Sequence, residues 1–168
     1  MNHDVSPWLI RGIYLFGFAF MLTAAIDLFT TVWPLRPTEM NWRYGFLGLA
    51  AGYLQTPTLG LLLIAGGAIW SRNATILRAV GYASLVLALV LLVVMGVFGL
   101  DVIQVRQVRA EEARAGVLYG GIFQEIKYFV AMIVLVLIGQ GALKTAKRSA
   151  STWAKLAPGI VSTPGGRG

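Results

Sequence analysis

The chain has 168 residues, 57% of them hydrophobic and only 12% charged, with a formal net charge of +7. That apolar fraction and a mean hydropathy of +0.73 lie outside the balance of a soluble domain and specify an integral membrane protein. With no cysteine and one histidine, His3, the chain has no means of forming disulfides, thiolate metal sites, iron–sulfur clusters or a bis-histidine haem, so no cofactor or metal is expected.

A helix crosses the roughly 30 Å hydrocarbon core with about 20 apolar residues, because each residue rises about 1.5 Å and the helix satisfies its own backbone. Four runs meet or approach that length, at about 12–33, 46–70, 79–100 and 122–143. They predict an all-α bundle of four transmembrane helices. The small residues Thr23, Ala24 and Ala25 resemble a signal-peptide cleavage site. The weakly basic start and the continuation of the apolar run to Trp33 predict instead an uncleaved span.

The first span carries one charge, Asp27, six residues and so about 9 Å before the interfacial Trp33. A carboxylate in lipid is costly and is usually paired, protonated or functional. One reading makes Asp27 a proton or cation site. The reading preferred on sequence makes it a structural acceptor, paired with Arg36 or Arg43 or bonded by tyrosine or backbone groups. With the fourth span centred on 128–143 no second carboxylate is expected within the membrane, and Ala19, Thr23 and Thr31 share a packing stripe with Asp27.

In the second span Gly48, Gly52, Thr56 and Gly60 recur every four residues, a small-residue ridge that predicts close helix packing. Pro57 lacks the N–H that would bond the carbonyl of Tyr53, so a kink is expected there. Gln55 and Thr56 could supply polar bonds, and Gln140 in the fourth span could donate across helices if the two are offset. A Gln and a Thr at a kink also suit a transport site, but the third span has no matching break.

The turn 71–78 contains Arg72, Arg78 and the sequon-like Asn73, Ala74, Thr75. After the third span, residues 101–115 lack proline and glycine and allow Arg109 to pair with Glu112 and Glu111 with Arg114. A helical extension ending near Gly116 is predicted, with Gly120 and Gly121 turning the chain back. After the fourth span, 144–168 is expected to be a basic, disordered tail. Lys144, Lys147, Arg148, Trp153 and Lys155 there are read first as an ordinary positive-inside anchor, and alternatively as a surface docking on anionic lipid or an acidic partner.

With four spans both termini share a side, which carries eight Lys and Arg against six on the other. This predicts a multi-pass protein of the cell membrane with cytoplasmic termini. The basic residues are split across the bilayer and no soluble domain gathers them, so nucleic acid is not an expected partner.

The succession AIDLFTTVWPLRP, NWRYGFLG and LQTPTLGLLLI resembles the N-terminal part of HpsJ-like small multi-pass proteins. The corresponding positions are Asp27, Leu28, Pro34, Pro37, Trp42, Pro57, Gly60 and Leu61, within about the first 70 residues. That family is cyanobacterial, is associated with secreted-polysaccharide production and often has a longer C-terminal segment than this chain. The resemblance implies no catalytic residues.

The function expected from the sequence is a non-enzymatic accessory or scaffold subunit. It would pack against other integral membrane proteins in a bioenergetic or a polysaccharide-secretion complex. The alternative is proton-linked or small-solute transport using Asp27 and the Gln55–Thr56–Pro57 kink. An enzyme built on Glu111, Glu112 and Glu125 ranks third, since no nucleophile–base pair or metal motif accompanies them.

Overall fold

A computed structural model describes residues 6–108 and 110–156, with the side chains of 108 and 150–156 excepted. Five helical segments follow in order: α1 (Pro7–Val32), α2 (Met40–Tyr53), α3 (Gln55–Trp70), α4 (Ala74–Val108) and α5 (Glu111–Leu156). They make four helices long and apolar enough to cross a membrane, α2 and α3 together forming the second. The molecule is a multi-pass helical membrane bundle.

Local chemistry fixes the ends. Pro7 opens α1, where its missing N–H is no loss. Trp33 turns extended before Pro34, which disfavours helix at the preceding residue. Between α3 and α4 the chain reverses over three residues. There Asn73 Oδ1 accepts the N–H of Ile76 at 3.1 Å and caps α4.

The expected kink is a break one turn earlier than its proline. Leu54 separates α2 from α3, and the hydroxyl of Thr58 donates to the Leu54 carbonyl at 2.7 Å while the Thr58 N–H reaches the same oxygen only at 3.4 Å. Thr58 thus supports the Leu54 carbonyl, not the Tyr53 carbonyl whose helical donor Pro57 removes.

The extension after the third span is present, but its form differs from the expectation. α4 runs continuously to Val108 and α5 begins at Glu111, so the two form a long hairpin and the extension ends before Gly116. Gly116, Gly120 and Gly121 lie inside α5 and do not turn the chain. At the other end α5 continues through Leu156, so the first part of the expected tail is helix and the residues after 156 lie outside those described.

α4 and α5 pair most extensively, and α1 leans chiefly on α3. Each pairing has a crossing where glycines let backbones meet. A Cβ on Gly60 would stand 2.6 Å from the Gly17 carbonyl oxygen, and one on Gly17 would stand 2.9 Å from that of Gly60. Between α4 and α5, Gly81 lies under Leu143 and Gly139 under Leu85, with a Cβ on either coming within 3 Å of the facing leucine.

The core sits where α2, α4 and α5 meet. Phe98 and Tyr128 are each 1% exposed and pack edge to face at 6.0 Å, and Tyr44 stacks on Phe98 at 5.7 Å. The Tyr128 hydroxyl donates to the Leu47 carbonyl, giving its buried polar end a partner. A second cluster, Ala68, Leu77, Ala142 and Ala146, closes the end where the first residues of α1 and the last of α5 lie. These two clusters separate a terminal end from a hairpin end.

Candidate functional site: charged groups in the bundle

At the hairpin end Arg43 and Asp101 form a forked ion pair. Arg43 Nη2 donates to Asp101 Oδ1 at 2.8 Å and Nε donates to Oδ2 at 3.1 Å. Its Nη1 donates to the Pro37 carbonyl at 2.9 Å. The Asp101 side chain is 3% exposed and the Arg43 side chain 30%. One guanidinium thus ties the first loop to the outer part of α4 with the planar geometry that arginine and carboxylate share.

That pair removes the partner expected for Asp27. Arg43 is committed to Asp101, and Arg36 bridges Glu39 at 3.4 Å on the exposed loop. The hydroxyls of Thr30 and Thr31 donate to the Asp27 backbone carbonyl, at 3.0 and 2.7 Å, and not to its carboxylate. Among the described residues the Asp27 carboxylate has neither an ion pair nor a hydrogen bond, and the side chain is half-buried on α1.

Asp27 is also not the single carboxylate within the spans. Asp101 and Glu125 both lie on helices long and apolar enough to cross the membrane. Glu125 faces a shallow groove between α4 and α5, lined by Met95, Gly99, Gly121, Ile122 and Phe129. Its Oε1 is buried without a hydrogen-bond partner, as is the Oε1 of the adjacent Gln124.

Within this chain the small-residue ridge is engaged only in part. Gly60 is a close-approach position, but a Cβ on Gly48 or Gly52 would meet nothing within 4 Å. Thr56 and Pro57 are half-buried beside the break at Leu54. Gly17, Gly81 and Gly139, which the four-residue pattern does not contain, complete the crossings.

Gln55 and Gln140 are both exposed and do not bond to each other. Gln55 instead borders a groove between α3 and α5 that also holds Lys127. A separate apolar crevice of about 330 Å³ lies between α1, the α2–α3 break and α4, with Leu47, Leu54, Leu91 and Tyr128 in its wall; Asp27, Gln55 and Thr56 do not line it. Glu111 and Glu112 are exposed at the start of α5, and Glu125 is about 20 Å further along that helix. The three glutamates therefore do not gather.

At the terminal end Lys144, Lys147 and Arg148 are exposed on α5, near Arg72 and Arg78 of the opposing turn. Trp153 and Lys155 fall on the helical backbone, but their side chains lie outside those described, as do His3 and Arg109. Comparisons with protein-family models, curated proteins and solved structures return no match.

Asp101, Lys127 and Tyr128 are the residues that sequence reasoning missed as participants, and Glu125 entered it only beside Glu111 and Glu112. A signal existed for the first: an aspartate immediately closing an apolar run, with an arginine closing the approach to the preceding span.

Proposed function

We propose that the chain is a non-enzymatic accessory or scaffold subunit that packs beside other integral membrane proteins, in a bioenergetic or a polysaccharide-secretion complex. The observation that supports this reading is the pair of carboxylates, Asp27 and Glu125, carried on membrane helices with no bonding partner for either among the described residues. An acidic side chain within a membrane helix is costly, and a donor on a neighbouring protein offsets that cost. α1 adds exposed apolar side chains, among them Phe16, Phe18, Leu22 and Ile26.

The basic helix end with Lys144, Lys147 and Arg148, continued by Trp153 and Lys155, is assigned to the cytoplasmic leaflet, where anionic lipid attracts such residues. A transport role would draw on Asp27, Gln55 and Thr56 meeting in one polar space. Neither Asp27 nor Thr56 lines the groove that Gln55 borders, so that reading has less support.

Photo-crosslinking in the native membrane tests the proposal. A photo-reactive residue in place of Ile26, beside Asp27, or of Ile122, beside the Glu125 groove, is expected to yield a discrete protein adduct. Asp27→Asn or Glu125→Gln should weaken the adduct at its own position. Labelling of lipid alone at both positions would contradict the proposal.

A further inference from the structure

We propose that the groove between α3 and α5 bearing Gln55 and Lys127 binds an anionic phospholipid of the leaflet at the hairpin end. The groove encloses about 460 Å³, and Lys127 is the one charged side chain in its wall. Lys127 is exposed and has no ion pair or hydrogen bond among the described residues. Its own helix supplies no counterion to the groove, because Glu125, two residues away, faces the opposite groove against α4. Asp101 and Glu39 are committed to Arg43 and Arg36. Among the described residues no carboxylate reaches this cation.

The polarity of the groove identifies the counterion as a lipid headgroup. Gly121 packs on Val102, so the level of Asp101 on α5 falls near residue 121, and Lys127 lies about 9 Å inside it. A lysine stem lies along apolar surface and carries its ammonium back toward the headgroups. Deeper along α5 the wall is Val130, Ala131 and Val134, about 5–10 Å further in, and deeper along α3 it is Thr58 and Leu59. The hydroxyl of Thr58 is engaged with the Leu54 carbonyl, so it presents little polarity to the groove. Gln55 lies about 18 Å along α2 and α3 from Arg43, deeper than Lys127, and among the described residues its side chain has no hydrogen bond. A cation toward the headgroups, with Val130, Ala131 and Val134 running inward from it, matches the order of headgroup and acyl chain in a phospholipid. An acidic side chain on a partner helix would not use the inner half of the groove.

This site is independent of the accessory-subunit reading and is tested on the purified full-length chain. The basic residues at the terminal end also attract anionic lipid, so the background carries K144Q, K147Q and R148Q. Native mass spectrometry after reloading with equal phosphatidylglycerol and phosphatidylcholine should show phosphatidylglycerol retained about fivefold over phosphatidylcholine, the effect of one well-placed basic residue. Lys127→Gln should bring the two lipids to parity and Lys127→Arg should keep the preference. Ala131→Phe, which fills the inner groove, should lower retention of both. Equal retention in the Lys127-containing background, an undiminished preference in Lys127→Gln, or unchanged retention in Ala131→Phe would each overturn the proposal.

Discussion

Asp101 is nearly sealed from solvent and depends on one guanidinium for its charge, so the Arg43–Asp101 pair is where a single substitution should cost most. Arg43→Met leaves a buried carboxylate alone and is expected to lower stability by about 3–5 kcal/mol; Arg43→Met with Asp101→Leu, which removes both charges, should recover most of that loss. Unfolding of the single and double variants in detergent micelles measures both. The pair also shows where sequence reasoning stops. Asp27, Asp101, Arg36 and Arg43 are all visible in the sequence, and Arg43 stands out as a partner for some carboxylate. Which carboxylate it meets depends on helix rotation and on a contact 58 residues away in the chain, neither of which local pattern encodes.

The α1–α3 crossing depends on Gly17 and Gly60, with each backbone filling the space a side chain would need. Gly60→Leu should force α1 away and cost about 1–3 kcal/mol by overpacking, whereas Gly48→Leu and Gly52→Leu, which point into open space, should each change stability by no more than about 0.5 kcal/mol. Melting temperatures of the three variants check the contrast. The ridge does not present one face within the chain, for a geometric reason. Each four-residue step turns about 400°, so from Gly48 to Gly60 even an unbroken helix rotates by about 120° beyond whole turns, and the break at Leu54 adds to that. The four apolar runs were legible because length and hydrophobicity alone define a membrane span. The continuity of α5 through Gly116, Gly120 and Gly121 was not, because glycine reads as a turn in water but is common inside membrane helices.

The whole molecule divides its charge unevenly. The hairpin end holds Glu39, Asp101, Glu111, Glu112 and Glu125 among its arginines and lysine, while the terminal end presents Arg11, Arg72, Arg78, Lys144, Lys147 and Arg148. The excess of basic residues at one end supports the proposed cytoplasmic termini. α1 approaches only α2 and α3, and only 11% of its apolar window is buried within the chain. A helix so lightly covered, carrying a carboxylate with no internal partner, is the physical basis of the proposed subunit role. The most direct test is the mass of the particle extracted from the native membrane in a gentle detergent, read by native mass spectrometry. The account predicts a stoichiometric complex with at least one other integral membrane protein, depleted in the double variant Asp27→Asn, Glu125→Gln. Recovery of the chain solely as a free monomer, with or without bound lipid, would contradict it.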